Sequence, residues 1–391
     1  MNPFFYGSAV TGKAFIGRQK QVKSLQDKIL SGQNVVLYGE RRMGKTSLAA
    51  EAFRLVSGSH DAAFVDLNNV KSAKDVIFSM SSAIGHIPGR GRPKEIVHNV
   101  MRGIRAARPK HNWLPTDGSP SVSLTFEEQR ESIEELFTHI ARAHKERPAI
   151  VFLDEFQGVL NCEDSDRLIA LLRSHIQHQP DIPYIFAGSI RHQMYDIFMS
   201  PTSPFFKSAL PMEVGPLPKE ELCRHLAGIF EQQNNSEVCS GTLEFAYDLV
   251  HGTTGEMQQV CSTIWDILPY GAPVDMAALE EGIQNIFAIY DKHYSAIYRR
   301  LTVKQADVLK ELARVDGKEP FSIDFQKATG QPLGTIQKAV KKLEKEEIVY
   351  QPYDVDNYRF LDPFFQAWVI QEQGIELFAS GNEDDFNPAP R

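Results

Sequence analysis

The chain has 391 residues, whereas a single hydrophobic core stops growing at about 250 to 300 residues, so we expect two or three domains. Its composition, 42% hydrophobic and 24% charged, is that of a folded protein and excludes global disorder. A net charge of -8 argues against a protein that coats nucleic acid or an anionic membrane through a general positive field. Any such contact must therefore be local.

Three features predict a cytoplasmic protein without membrane contact. The four cysteines are widely spaced and form no Cys-x-x-Cys pair, which is typical of reduced thiols. No stretch approaches the roughly 20 apolar residues that span a bilayer. The first residues, MNPFFYGSAVTGKAF, lack the basic-then-apolar pattern of a signal peptide.

Four short apolar runs alternate with helical patterns in the first half of the chain. They comprise residues 34–38, 62–67, 149–153 and 184–187. Because each run is apolar throughout rather than alternating, we interpret all four as central strands covered on both faces. The pattern predicts an α/β fold with a parallel sheet flanked by helices.

Changes of pattern divide the chain into four segments. Residues 1–216 form the predicted core, interrupted at about 87–124 by a basic insertion rich in Gly and Pro. This insertion would suit nucleic acid or an acidic partner, or is a solvated charged surface. The remaining segments are a helical lid (217–297), a winged helix-turn-helix domain (298–378) and a flexible polar tail (379–391).

The segment after the first apolar run fits the phosphate-loop pattern G-x-x-x-x-G-K-[ST]. A buried strand leads in and the helical pattern KTSLAAEAFRLV leads out, which is the context that such a loop requires. Backbone N–H groups and the helix N-terminus attract phosphate there. We expect Lys45 to reach the β and γ phosphates of ATP and the Thr46 hydroxyl to ligate Mg²⁺. The candidate nucleotide-binding residues are Gly39, Glu40, Arg41, Arg42, Met43, Gly44, Lys45, Thr46 and Ser47.

An acidic pair follows the third apolar run, AIVFL. Asp154 and Glu155 would lie at the carboxyl end of this strand, where open α/β sheets bind ligands. Mg²⁺ needs a hard oxygen ligand, and the attacking water needs a base. We therefore predict that Asp154 holds the metal through water and that Glu155 polarises the nucleophilic water.

The fourth run, within YIFAGSI, supplies a candidate sensor. Ser189 follows its end and would lie between the acidic strand and the γ phosphate. Arg191 follows closely and has two interpretations. It is either an arginine finger, acting in cis or toward a neighbouring subunit, or a solvated surface residue.

With these motifs, the chain resembles the archaeal-type ATPase family of the STAND class, which is related to AAA+ and initiator ATPases. The resemblance covers most of the chain and rests on the opening NPFFYG and FIGR, the loop GERRMGKTSL, FLDEFQ, FAGS and the closing DPFFQAW. It implies an ATPase core, a helical lid and a C-terminal winged helix. It also implies adenine contacts from Phe15, Ile16, Gly17 and Arg18, whose alternative role is to anchor the first helix.

The lid of such relatives carries a Gly-Pro or Gly-Asp-Arg type motif near the nucleotide. The corresponding residues 251–256, HGTTGE, lack both the proline and the sensor arginine. We therefore expect slow hydrolysis.

The C-terminal segment predicts a helix-turn-helix followed by a two-stranded wing. In the predicted third helix, starting at Thr335, three apolar residues recur at helical spacing and would pack inward. The outward residues, which would face a major groove or a partner protein, are Thr335, Gln337, Lys338, Lys341 and Lys342. Residues 298–369 contain 12 Lys and Arg against 11 Asp and Glu, a net charge of +1, so DNA and a protein partner both stay open.

Three functional hypotheses follow. The leading one is an ATP-binding and ATP-hydrolysing switch that requires Mg²⁺ and engages DNA or a partner through the winged helix. The second is a signalling scaffold with a structural nucleotide and a protein-binding winged helix. The third is an initiator or transposition-type loader, which predicts ATP-dependent assembly of a homo-oligomer.

Overall fold

The structure is a computed structural model that describes residues 1–85, 126–189, 191–352, 356–375 and 377–378. The predicted insertion at 87–124 and the predicted tail at 379–391 lie outside these residues. The chain divides into two units, one formed by Ala9–Gly215 and the other by Met1–Ser8 together with Pro216–Arg391. None of the helices in the described ranges combines the length and hydropathy that crossing a bilayer requires.

The first unit is built on a five-stranded parallel sheet in the spatial order β2-β3-β4-β1-β5. The strands are β1 (Val35–Tyr38), β2 (Asp61–Asp66), β3 (Ala149–Asp154), β4 (Tyr184–Gly188) and β5 (Leu210–Glu213). Parallel neighbours need crossover connections, which helices provide here. The predicted fold class, a parallel sheet flanked by helices of the P-loop NTPase type, is confirmed.

Helices cover both faces of this sheet. On one face lie α1 (Gln19–Leu30) and α2 (Lys45–Val56), and on the other lie α3 (Ala73–Ile84), α4 (Phe126–Glu146), α5 (Ser165–Gln177) and α6 (Arg191–Phe198). Along β1, Val35 and Leu37 join the core beneath α1 and α2, whereas Val36 joins the core on the other face. Apolar residues are therefore needed at every position of such a strand.

The prediction that all four apolar runs are central strands is wrong for the second run. β2 lies at one edge of the sheet. Ala63 and Val65 are buried, but Phe64 between them is 46% exposed. An apolar side chain is nevertheless favourable at position 64, because the ring of Phe64 packs against Phe53 at 5.3 Å and Phe152 at 5.4 Å between ring centroids.

No apolar run predicted β5, which pairs with β1 at the opposite edge. This strand has four residues and contains Pro211. Proline has no backbone N–H, so it cannot donate a hydrogen bond to a neighbouring strand. It is therefore tolerated in an edge strand but not in a central strand. The strand is therefore compatible with its position, but its sequence carries no strand pattern.

The second unit begins with four helices, α7 (Lys219–Asn234), α8 (Thr242–Leu249), α9 (Thr254–Ile267) and α10 (Met276–Arg299). The first residues of the chain pack with them. The ring of Phe4 lies 4.8 Å from that of Phe230 and 5.9 Å from that of Trp265. Asn2 Nδ2 donates to the backbone oxygen of Ser262 at 2.9 Å and to its hydroxyl at 2.8 Å. The opening NPFF is therefore part of this helical core.

The predicted winged helix follows and is confirmed. Its elements are α11 (Val303–Arg314), α12 (Ile323–Thr329), α13 (Leu333–Lys345), β6 (Val349–Tyr350), β7 (Arg359–Phe360) and α14 (Pro363–Gln371). β6 and β7 pair antiparallel as the wing. The predicted wing turn comprises residues 354–357, of which residues 354 and 355 lie outside the described residues.

The predicted recognition helix, α13, begins earlier in the chain than the sequence pattern indicated. It starts at Leu333 rather than at Thr335. The preceding helix ends at Thr329, and its C-cap residue Gly330 has a left-handed φ of +63°. Pro332, with φ of -69°, is the N-cap residue of α13. The turn between α12 and α13 therefore comprises only residues 330–332.

A buried tyrosine fastens the winged helix to α10. The hydroxyl of Tyr294 donates to Asp362 Oδ2 at 2.8 Å, and its ring lies 5.2 Å from Phe365 and 5.9 Å from Trp368. Asp362 Oδ1 accepts from the backbone N–H of Phe364 at 2.9 Å and so caps α14. The closing motif DPFFQAW thus anchors the last helix.

A matched pair of adjacent phenylalanines tests the core beside α6. Phe205 is fully buried and its ring lies 5.5 Å from Phe156, 5.5 Å from Phe186 and 5.4 Å from Phe198, whereas Phe206 is 37% exposed. We expect Phe205→Ala to lower the free energy of unfolding of this unit by about 3 to 5 kcal/mol, because it leaves a cavity. Phe206→Ala should cost less than about 1 kcal/mol. Urea titration followed by circular dichroism measures both, and equal costs would contradict the packing described here.

Candidate functional site

The loop between β1 and α2 places a helix N-terminus at the carboxyl edge of the sheet. Gly44 immediately precedes α2 and has a φ of +88°, a conformation that side chains other than glycine rarely adopt. The chain can then turn sharply into the helix at Lys45. The first N–H groups of α2 point out of the helix end, and together with its dipole they favour an anion at this position.

Lys45 lies across this loop. Its side chain is 6% exposed, and Nζ donates to the backbone oxygens of Gly39 at 2.9 Å and Glu40 at 2.8 Å. Burial lowers the pKa of the Lys45 ammonium to about 8, although the carboxylates of Glu155 and Asp154 act in the opposite direction. The loop thus holds a poorly solvated cation among backbone oxygens.

Thr46 and Asp154 join the loop to the acidic strand. The Thr46 hydroxyl donates to Asp154 Oδ2 at 2.7 Å, although the two residues are 108 positions apart in the sequence. Burial raises the pKa of the Asp154 carboxyl, and the negative charge of Glu155 adds to this effect, while the hydrogen bond from Thr46 opposes it. Two oxygen groups that the sequence assigned to a metal therefore lie side by side.

Glu155 and Ser189 also meet. Ser189 donates to Glu155 Oε2 through its hydroxyl at 2.7 Å and its backbone N–H at 3.4 Å. The side-chain amide of Gln157 donates to the same oxygen. Gln157 is not among the predicted site residues, although a polar residue two positions after Glu155, between the apolar residues of FLDEFQGVL, is a signal that could have identified it.

Sheet topology explains why these groups converge. β4 lies between β1 and β3, and all three strands run parallel. Their carboxyl ends therefore lie at one edge of the sheet. Polar groups lie at each of these ends: the loop follows β1, Asp154 ends β3 and Ser189 follows β4. This is the edge at which open α/β sheets bind ligands.

The FIGR segment lies against the same loop. Arg18 Nη2 donates to the backbone oxygens of Met43 at 2.9 Å and Gly215 at 2.6 Å. Arg18 also occupies the N-cap position of α1, without a capping hydrogen bond from its side chain. Ile16 and Gly17 are buried, and Phe15 packs against the core beneath α1 and α2. Arg18 thus braces the loop backbone, and the predicted adenine contacts of this segment stay predictions.

The residues in front of FIGR run along α2. The backbone N–H of Val10 donates to Ser47 Oγ at 3.1 Å, and that of Gly12 donates to Glu51 Oε2 at 2.8 Å. Ser47, a predicted nucleotide-site residue, thus holds this segment in place through its hydroxyl. Glu51, which also pairs with Arg54, is not among the predicted site residues.

The other predicted loop residues differ in exposure. Arg41 and Arg42 are exposed and Glu40 is partly exposed, whereas Met43 is buried. Arg191 is the first residue of α6, and its side chain lies outside the described part of the structure. Its role as an arginine finger stays a prediction.

In the second unit, α13 presents the predicted contact residues. Ile336 and Val340 are buried, and Thr335 is partly exposed. The exposed members of the predicted set are Gln337, Lys338, Lys341 and Lys342. Lys342 forms an ion pair with Glu346 at 2.8 Å on the same helix, which reduces the positive charge of this face.

The predicted nucleotide-facing stretch of the lid, residues 251–256, contacts the winged helix. His251 Nε2 lies 3.2 Å from Gln366 Oε1 and 3.5 Å from Asp316 Oδ1. Gln366 Nε2 donates to Asp316 Oδ1 at 3.1 Å. These three polar groups join the α8–α9 turn, the α11–α12 turn and α14.

Two family models match the chain. Residues 14–186 match an AAA ATPase domain, and residues 292–371 match a probable winged helix domain. The first match covers the loop, Asp154 and Glu155, and it ends before Ser189. No curated protein is similar enough in sequence to count as a relative.

Solved structures are similar over nearly the whole chain. The Walker-type ATPase PABY2304 of Pyrococcus abyssi has a TM-score of 0.63 at 17% identity, covering 94% of this chain and 99% of its own. The ORC1 protein of Aeropyrum pernix in complex with DNA has a TM-score of 0.52 at 13% identity, covering 93% and 94%. The ORC2 protein of Aeropyrum pernix with ADPNP and ADP has a TM-score of 0.51 at 14% identity, covering 93% and 97%.

At these identities the likeness to solved structures concerns the fold, while the two family models concern separate parts of the chain. β1, β2, β3 and the loop after β1 lie in the part matched by the first model, and β6, β7 and α14 lie in the part matched by the second. The chain therefore combines an AAA ATPase domain with a winged helix domain.

Proposed function

We propose that the chain is an ATP-binding and ATP-hydrolysing molecular switch that couples its nucleotide state to engagement of DNA or a protein partner through the winged helix. The observation that carries this proposal is the hydrogen bond between Thr46 and Asp154, which joins the phosphate loop to the acidic strand. We also propose that the chain belongs to the STAND class of ATPases, because it has the opening NPFFYG and closing DPFFQAW motifs.

The Thr46 and Asp154 oxygens have the chemistry of a Mg²⁺ site. A hydroxyl has one O–H donor and two lone pairs, so Thr46 can donate to Asp154 and still offer a lone pair to a metal. Carboxylate and hydroxyl oxygens are ligands that Mg²⁺ accepts together with water and substrate phosphates. Mg²⁺ bound to Thr46, with Asp154 holding it through water, would neutralise charge on the β and γ phosphates.

The proposed reaction is hydrolysis of the γ phosphate. The oxygen of a water molecule attacks the γ phosphorus, the bond from that phosphorus to the bridging oxygen breaks, and Glu155 accepts a proton from the water. Lys45 would bind the β and γ phosphate oxygens with a donor beyond the two that reach Gly39 and Glu40. Ser189 would sense the γ phosphate from its place beside Glu155.

The winged helix would engage either DNA or a protein partner, and different observations favour each. The exposed lysines of α13 favour DNA, as does the fold, since the similar ORC1 protein of Aeropyrum pernix is in complex with DNA. The net charge of +1 over residues 298–369 and the ion pair of Lys342 with Glu346 favour a protein partner.

Two substitutions separate binding from turnover. We expect Lys45→Ala to weaken ATP binding by about 100-fold or more, because it removes the cation that faces the phosphates. Glu155→Gln should keep binding within about threefold while lowering turnover by about 10² to 10⁴, because the base is lost. Titration with a fluorescent ATP analogue and phosphate release measure the two effects. Glu163→Gln, an exposed carboxylate in the same unit, is the control and should change neither.

The titration of Lys45 predicts a pH dependence of ATP binding. Its pKa of about 8 in the free protein means that it is charged below pH 8 and loses its proton above. A bound triphosphate favours the charged form, so affinity should fall by up to about tenfold per pH unit above pH 8. In Lys45→Arg the guanidinium stays charged, so the remaining affinity should not fall in this range. A constant affinity of the natural protein between pH 7.5 and 9.5 would contradict the burial of Lys45.

Charge reversal on α13 distinguishes the two kinds of partner. If the partner is DNA, the triple variant Lys338→Glu, Lys341→Glu and Lys342→Glu should abolish a salt-sensitive mobility shift of duplex DNA. Each lost phosphate contact should lower the slope of log affinity against log salt by about 0.9. The control, Arg299→Glu, Arg300→Glu and Lys304→Glu, changes the net charge equally outside α13. No binding to duplex DNA by the natural protein at low salt would favour a protein partner.

A further inference from the structure

One oxygen of Glu155 collects several hydrogen bonds. Glu155 Oε2 accepts from the hydroxyl and backbone N–H of Ser189 and from the side-chain amide of Gln157. The terminal torsion of a glutamate is otherwise broad, so a carboxylate at a chain surface samples many orientations. Donors from two directions restrict this torsion and fix which oxygen points toward Ser189.

The backbone brings Glu155 and Gln157 side by side. Glu155 has a φ of +48°, which is left-handed and uncommon for a residue other than glycine. A 3₁₀ helix, Phe156–Asn161, follows at once, and the N–H of Gly158 donates to the Glu155 backbone oxygen at 2.8 Å. The carboxylate therefore leaves β3 toward β4, where the amide of Gln157 reaches it.

Gln157 is a polar residue in an apolar place. It is 5% exposed, and its neighbours Phe156 and Val159 are buried. Among the described residues, Gln157 Oε1 is buried without a hydrogen-bond partner. A buried amide oxygen without a partner is unfavourable, and an apolar side chain of the same length would fill the volume without that cost. The feature that distinguishes Gln157 from such a side chain is its bond to Glu155.

The end of β4 leaves room for this amide. A Cβ atom on Gly188 would collide with Gln157 Oε1 and with the side chain of Met194. Glycine at this position thus lets the Gln157 side chain lie against the strand next to Ser189. The fold around Glu155 therefore supplies both the amide of Gln157 and the space that its side chain occupies.

We propose that Gln157 is a positioning residue: its amide holds one oxygen of the Glu155 carboxylate so that the other is fixed toward the attacking water. This inference rests on the proposed ATPase function, in which Glu155 is the base. Gln157 itself contacts neither substrate nor metal in this scheme. Preorganised catalytic groups of this kind depend on the residues that lock their rotamers.

The test is steady-state ATP hydrolysis by Gln157→Met and Gln157→Glu. Methionine has a similar length and no donor, so kcat should fall about 10-fold to 100-fold, KM for ATP should stay within about threefold, and the melting temperature should not fall. Glutamate places a like charge against Glu155 and should lower kcat further. An unchanged kcat in Gln157→Met would overturn the inference, as would a loss of activity that follows a loss of stability.

Combining substitutions separates positioning from general packing. In the Glu155→Gln background, Gln157→Met should cause little further loss of turnover, because the group that it positions is already gone. If instead the two losses multiply, Gln157 acts independently of Glu155 and the inference fails.

A spectroscopic measurement keeps the inference testable if the natural protein hydrolyses no ATP, an outcome that would refute the proposed function. In protein labelled with ¹⁵N-glutamine, the side-chain amide signal of Gln157 is assigned by its absence in Gln157→Met. We expect Glu155→Ala to shift this signal, because the carboxylate acceptor is removed. A signal unchanged by Glu155→Ala would show that the contact does not form and would overturn the inference independently of activity.

Discussion

The hydrogen bond between Thr46 and Asp154 makes one site out of two distant chain segments. It depends on the parallel direction of β1 and β3, which brings the carboxyl ends of both strands to the same edge of the sheet. β4 lies between them, and Ser189 at its end bonds to Glu155. An antiparallel arrangement of either strand would place its polar end on the opposite side of the core. The architecture of the sheet is therefore the condition for any chemistry at this edge.

Burial makes the charged forms of Lys45 and Asp154 unfavourable when no ligand is bound. Lys45 is held away from water and its pKa falls, while burial raises the pKa of the Asp154 carboxyl. Both shifts mean that the fold disfavours charges that the proposed reaction needs. The backbone oxygens of Gly39 and Glu40 offset part of the cost for Lys45. A triphosphate with its metal would supply the opposite charges, which links stability of the site to its proposed ligand.

The second unit joins its two predicted parts through direct contacts. Tyr294 on α10 bonds to Asp362 at the start of α14, and His251 meets Asp316 and Gln366. A change in the lid would therefore reach the winged helix through packed aromatic rings and polar contacts. A coupled movement of these two parts is what the proposed switch requires.

The sequence by itself determined the local features. Apolar runs predicted four of the five strands, the loop pattern identified Gly39 to Thr46, and helical spacing identified the buried face of α13. These signals are local, because strand burial, loop geometry and helix periodicity each depend on residues that are close together in the sequence. Tertiary structure alone decided the rest. It made β2 an edge strand, added β5 beside β1, and set Arg18 on the backbone of Met43.

The pairing of Gln157 with Glu155 and the packing of Phe4 among the helices of the second unit were likewise decided by tertiary structure. Each depends on residues that no local pattern connects, since strand order and side-chain contacts follow from how the whole chain buries its apolar surface.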